Sequence, residues 1–342
     1  MAQEQSIPSN LVRLAPLQIG DLPAHPDLPM LDSDSPSQRP DLAAFITAIL
    51  DDGASFLDPS TLSRSFKHHS RKSSPPSAAH VEVLTHSIPA SSIAQIPWSD
   101  TSQGHDGTRG VSRSKPRSLG AEYWVARKSI HKDISSKSGQ QPGNASWAEF
   151  IYGLRDEHSK HESEFTPTLF DALNVVNWND SVRDLELQGK LVGKSRTAYT
   201  GCTMGVWEMC HALPAPLSRR CFPVLVVTAS MDENAFIVVT IPVTLGMNVP
   251  AAFYSNGRNV KEGKDAQQRK QVVMGVYAAV ETVRRDLAKG EVEWIMATAS
   301  DAKGNLPMCM QKLGIPGAVV KDVGSFMKWI KDVDDKDIPR VE

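Results

Sequence analysis

The end of the chain constrains its fold most. Glu291 to Ser300 alternates as a strand does, the turn Asp301-Ala302-Lys303-Gly304-Asn305-Leu306-Pro307 follows, and an amphipathic segment runs on to Ile330. In that segment Val319, Val323, Phe326, Met327 and Ile330 recur at three- and four-residue steps. One helix face is therefore apolar and has to lie against something. Strand-like runs precede it at Asp184 to Val192, Thr197 to His211, Val224 to Ser230, Ala235 to Pro242 and Val272 to Arg284, with turn residues between them. Strands in succession imply antiparallel hairpins, and Gly201, Gly205 and Gly275 allow the bends of a curved sheet. The expected class is α+β, a cupped antiparallel sheet closed by a C-terminal helix.

The first half is read with less regularity. Residues 1–40 are rich in Pro, Asp and Ser and are expected to form a loosely held arm. Asp41 caps a helix whose Leu42, Phe45, Ile46, Ile49 and Leu50 share a face. From Pro59 to Gly120 the chain is Ser- and Pro-rich, with eight Lys or Arg against three acids, a composition expected of a largely disordered insertion. Within it, His80 to His86 alternates as a short strand. Tyr123 to His131 reads as another strand, Ser146 to His161 as a helix and Leu169 to Val175 as a short helix. The compact domain is expected over 41–335, and 336–342 as a tail.

Composition sets few limits. A hydrophobic fraction of 40% and a charged fraction of 22% are those of an ordinary globular protein, and a net charge of −2 gives no global reason to expect nucleic acid. The first ten residues lack the pattern of a secretory signal, and no stretch approaches the ~20 apolar residues of a membrane span, so a cytoplasmic location is expected. Cys202, Cys210, Cys221 and Cys309 have no C-x-x-C spacing and read as reduced core thiols.

Blocks at Trp124-Val-Ala-Arg-Lys-Ser-Ile-His131, Phe222-Pro-Val-Leu-Val-Val-Thr228, Tyr254-Ser-Asn-Gly257, Trp294-Ile-Met-Ala-Thr-Ala-Ser-Asp301, Gly304-Asn-Leu-Pro307 and Ile315-Pro-Gly317 through Trp329-Ile330 carry a resemblance. Together they span about Gly120 to Ile330. The chain resembles a fungal family, without established activity, of the START-like lipid-transfer superfamily. The resemblance implies the helix-grip fold, with a cavity between sheet and last helix that holds a lipid or other apolar molecule. One departure stands out. START domains enter the closing helix through one Gly-x-Ile-Pro-like step, whereas this chain has Pro307 and Pro316. Proline is favourable in a first turn and costs ~3 kcal/mol inside a helix, so a short helix before Gly314 and the main one from Pro316 are expected.

Motifs for chemistry are scarce. Gly189-Lys-Leu-Val-Gly193-Lys194-Ser195 has three residues between its glycines where a phosphate loop needs four, and reads as a hairpin turn. His158 and His161, beside Glu157, Glu162 and Glu164, lack a third ligand at a defined spacing and read as a solvated helix end. No cofactor or metal is expected. Strand alternation puts Tyr123, Arg127, Ser129 and His131 on one face of their strand. If that face looks into the cavity, Arg127 can hold an anionic ligand group and His131 can exchange its proton; if it faces solvent, both are surface groups. Glu208 and Glu281 are candidate buried partners.

The apolar positions expected to line the cavity, or to fill a closed core, are Met204, Trp207, Met209, Phe236, Val238, Tyr277, Trp294 and Met296, opposed by Val323, Phe326 and Met327. The basic run from Arg64 to Lys72 can touch anionic lipid headgroups or be a solvated linker. Two functions follow: binding of a lipid or other hydrophobic molecule in a largely apolar cavity, or a cofactor-independent cyclase, isomerase or dehydratase. The second would act on a polyketide-like or terpenoid intermediate of fungal secondary metabolism through Arg127, His131 and Glu208.

Overall fold

Among the described residues nine strands form one antiparallel sheet in the order β1-β2-β3-β10-β9-β7-β6-β5-β4, and a two-residue β8 adds in parallel to β6. The computed structural model describes residues 11–29, 39–96, 120–134, 143–213, 218–247, 249–304 and 308–339. In chain order the elements are α1 (Leu42–Phe56), α2 (Pro59–Ser65), β1 (Lys67–Ser73), β2 (His80–Ile88), α3 (Ala90–Ala94), β3 (Glu122–Lys132) and α4 (Trp147–Phe150). A π-helical turn (Ile151–Arg155) leads to α5 (His158–Phe165), β4 (Leu169–Asn177), α6 (Asn179–Leu187), β5 (Thr200–His211), β6 (Arg220–Asp232) and β7 (Ala235–Pro242). Then come α7 (Asn259–Glu262), β8 (Val273–Met274), β9 (Val276–Asp286), β10 (Glu291–Asp301) and α8 (Met308–Ile330).

The sheet has a core on each face. On one face α8 lays Val319, Val323, Phe326, Met327 and Ile330 against Val125, Phe236, Val283, Trp294 and Met296, with Trp147, Phe150 and Leu154 packed beside them. On the other, Phe45, Ile46, Ile49 and Leu50 of α1 cover Val227, Ile237, Val239 and Val280. The period-2 strands and the period-3.6 helices thus meet face to face, as their patterns require.

Several expectations are corrected. Residues 11–29 are not a loose arm: Leu11, Val12, Leu17 and Leu22 are buried on the α1 side, and Leu17 bridges Val243. Their spacing has no period because the segment follows the surface of α1 and the sheet rather than forming an element of its own. Residues 59–96 are ordered as α2, β1, β2 and α3, although the composition suggested otherwise. β1 buries almost nothing, and its place is fixed by backbone pairing to β2, from Lys67↔Thr85 to Ser73↔His80. Residues 97–119 lie outside the described residues, as do Pro307 and the side chain of Cys309.

Leu169–Asn177 is a strand rather than a helix, because pairing with β5 supplies hydrogen bonds that a short helix would lack. Conversely, 179–187 is helical, and Glu186 there accepts the backbone N–H groups of Gly201 and Cys202 at 2.8 and 3.1 Å. α8 runs unbroken from Met308 with Pro316 inside it. The cost of that proline is confined to one turn, upstream of the stripe that packs on the sheet. Residues 189–199 do make a hairpin-like turn, closed by Gly193 N–H to Thr197 O at 2.9 Å. Among the described residues no helix is long and apolar enough to cross a membrane, and Cys202, Cys210 and Cys221 are buried free thiols.

Candidate functional site

The register across β3, β10, β9 and β7 builds the site. Arg127 is opposite Met296, Met296 is opposite Glu281, and Glu281 is opposite Val238, so the four form one row on the α8 face. Ala279 and Thr240 occupy the parallel row two residues along. Above these rows, Leu154 of the π-turn, His158, Glu162 and Phe165 of α5, Thr166, and Asp322 of α8 complete a cavity of about 50 Å³. Tyr277 and Trp294 close its sides.

Arg127 is 2% exposed. Its Nη2 donates to Glu281 Oε1 at 3.1 Å, and its guanidinium lies 3.9 Å from the centre of the Trp294 ring. The buried ion pair and the cation–π contact hold the cation in place. His158 donates from Nδ1 to the Leu154 carbonyl at 2.6 Å, which turns Nε2 toward Glu162 at 3.8 Å. The π-turn causes this arrangement: its wider coil leaves the Leu154 and Tyr152 carbonyls to accept from His158 and His161. Gly153 is needed there, because a Cβ would come within 2.6 Å of Phe326 and 2.8 Å of Trp329.

Glu162, Tyr277 and Asp322 line the cavity, and each keeps part of its surface accessible. Burial raises the Glu162 carboxyl to about 7, with His158 opposing the shift and Glu281 and Asp322 adding to it. Burial likewise raises Asp322 to about 6, against the pull of Arg127. The Tyr277 phenol is pushed up by the same burial. The site is therefore a space with apolar walls and a polar end, one guanidinium facing three carboxyl groups.

The sequence-derived residues divide. Arg127, Val238, Tyr277, Trp294 and Met296 line the cavity. Trp207, Met209, Phe236, Val323, Phe326 and Met327 belong to the surrounding core on the same face. Met204 does not join them, because it lies on the α1 face of β5. His131 shares the face of Arg127 but is packed between Phe150 and Trp294, and its Nε2 meets Ser129 Oγ at 2.8 Å. Burial lowers its pKa to about 3, so it is a neutral core group and not a proton carrier for the cavity.

Glu208 points to the opposite face. It accepts from the backbone N–H groups of Phe253, Tyr254 and Ser255 at 2.8, 3.0 and 2.6 Å, and thereby holds a loop. The expectation of a solvated end at His158 and His161 is corrected, and the apolar walls of the cavity are joined by a polar end. His158 lines the cavity, and His161 is buried against Tyr152 and Trp329. Asp322 was missed. Its signal is its place three residues after Val319 and four before Phe326, on the apolar stripe itself.

Residues 124–330, which supply Arg127, Glu162, Glu281 and Asp322 alike, match the model of a family described as protein of unknown function, DUF3074. The chain belongs to that family. No curated protein matches it. Among solved structures it is similar to human StAR-related lipid transfer protein 5, at 12% identity and a TM-score of 0.46, over 85% of this chain and 97% of that one. It is also similar to human STARD10, at 12% identity and a TM-score of 0.42, over 80% of each chain. A STAR-related lipid transfer protein from Xanthomonas axonopodis gives 9% identity and a TM-score of 0.39, over 77% of this chain and 99% of that one. The fold of the DUF3074 chain is α+β, a large antiparallel sheet with its C-terminal helix laid across one face.

Proposed function

We propose that the chain binds a hydrophobic or amphipathic small molecule, a lipid or a smaller apolar compound, between the sheet and α8. The observation that carries this reading is the cavity between sheet and α8, with the partly accessible Glu162, Tyr277 and Asp322 in its wall. A core that only supports the fold leaves no charged walls around a void, since a buried charge without a partner is costly. About 50 Å³ holds a few water molecules. Ligand pockets commonly have ~300–1,000 Å³, so a lipid-sized guest requires α8 and α5 to move outward. Native mass spectrometry of the gently purified full chain is expected to find a co-purifying molecule that organic extraction removes. A chain that always has its bare mass, and takes up no added apolar molecule, overturns the reading.

A second reading, acid–base catalysis in the same cavity, draws support from Glu162 and Asp322, whose carboxyls titrate near neutrality. Arg127 would then steady a developing anion, while His131 and Glu208 stay outside the chemistry. Transient contact with an anionic membrane through 64–72 belongs to the binding reading. Support comes from β1, which is basic and almost wholly exposed.

A further inference from the structure

The charges around the cavity do not balance. On β3, Arg127 gives Nη2 to Glu281 of β9 at 3.1 Å and its face to Trp294, while its Nε and Nη1 make no hydrogen bond among the described residues. β10 and β7 bring only Trp294, Met296, Val238 and Thr240, and β9 adds the neutral phenol of Tyr277. On α5, Glu162 has His158 Nε2 at 3.8 Å as its nearest cationic candidate. On α8, Asp322 faces the cavity and makes no hydrogen bond or ion pair among the described residues. Two enclosed carboxylates without a full countercharge are unfavourable, so they take up protons or are met by a cation.

We propose that the ligand of this cavity carries a protonated amine, held by Glu162 and Asp322, with its carbon skeleton along Leu154, Phe165, Val238 and Met296. The proposal rests on the ligand-binding reading above and names the class of ligand. An ammonium group suits the site because it is compact and brings three donors to acceptor-only carboxylates. A hard metal ion suits it less: such ions take six or more oxygens, and the described residues hold no group of three or more His, Cys, Asp or Glu placed for a metal. Without an amine, protons would do its work, which agrees with the raised carboxyl groups of Glu162 and Asp322. Binding the amine therefore expels protons, and affinity rises with pH until the amine itself loses its charge near ~10.

The test titrates the full chain with n-propylammonium, n-propanol and propionate at pH 6 and pH 8 and fixed ionic strength, read by tryptophan fluorescence and by calorimetry. Propylammonium is expected to bind best, about tenfold more tightly at pH 8 than at pH 6, with proton release seen as a dependence of the heat on the buffer. Asp322→Asn and Glu162→Gln are expected to weaken binding and flatten its pH dependence, while the buffer dependence of the heat needs no variant. If propanol or propionate binds as tightly, or if propylammonium binding ignores pH, the amine proposal falls and the ligand-binding reading stands. If none of the three binds but an apolar molecule co-purifies, the outcome is the same. If no probe binds and nothing co-purifies, both fall.

Discussion

A carboxyl group held away from water keeps its proton to higher pH, and this gives Glu162 and Asp322 a definite effect on stability. Each has a folded pKa above its unfolded value, raised to about 7 and about 6. The folded state therefore holds protons that the unfolded chain has released, and stability falls as pH rises from the ordinary carboxylate range through about 7. His131 and His211 have the opposite sign. Burial lowers them to about 3 and about 4, so their contribution is present above the ordinary histidine value and is lost as pH falls below it. Between pH 6 and 8 the two pairs oppose each other at about 1–2 kcal/mol each. Urea unfolding of the wild type should therefore show a stability that is nearly level over that interval. The double variant Glu162→Gln, Asp322→Asn should unmask the histidines, with a stability that rises by about 1–2 kcal/mol from pH 6 to 8. A double variant as level as the wild type would contradict the assignment of these groups as enclosed.

At the scale of elements, one hydroxyl fastens the closing helix to the turn between β1 and β2. Ser74, in the turn between β1 and β2, donates to the Val320 carbonyl at 2.6 Å and accepts from the Gly324 N–H at 2.9 Å. It stands between the acceptor and the donor of one helical turn of α8. Gly324 permits this, since a Cβ there would meet the Pro75 carbonyl at 2.5 Å. Ser74→Ala leaves both backbone groups short of a partner and should cost about 1–3 kcal/mol. Hydrogen exchange should then quicken at amides around Val320 and Gly324 and stay unchanged in α1. Equal protection of α8 in both proteins would show that the hydroxyl does not hold it.

The same elements show what a sequence can and cannot carry. β2, β3, β5, β6, β7, β9 and β10 were legible because each alternates against a core, and strand alternation also found Arg127, Val238, Trp294 and Met296 for the site. β1 was not, since no side chain of an almost wholly exposed strand reports its pairing. β4 and α6 were exchanged because short apolar runs fit either period until a partner strand decides. His158 and Glu162 were illegible for a different reason. Nothing local says that α8 and Tyr277 will cover that helix, so charge near a helix end looks solvated until the tertiary structure encloses it.

The whole molecule is one sheet with different companions on its two faces. α1 and residues 11–29 occupy one side, and α8, the π-turn and α5 the other. The two cores are separate clusters, so an opening of the α8 side, as proposed, would not need the α1 core to move. The basic strand β1 continues directly into Ser73 and the Ser74 turn that grips α8, so an anionic surface docked on β1 lies next to the fastening of that helix. Vesicle flotation tests the docking. The full chain should float with vesicles containing phosphatidylserine and not with pure phosphatidylcholine. Lys67→Gln, Arg71→Gln and Lys72→Gln together should weaken the association about a hundredfold, at ~1 kcal/mol for each charge. Flotation that is insensitive to these three changes would rule out β1 as the contact.

Among the described residues the sheet ends at β1 on one margin and β4 on the other. β1 carries Lys67, His68, His69, Arg71 and Lys72 along its length, and β4 breaks register twice against β5. Neither offers the clean, neutral ladder that a foreign strand needs to zip on. If the α8 face loosens to admit a guest, as proposed, these margins spare the sheet the commonest accident of loosened sheets, adhesion to its own copies.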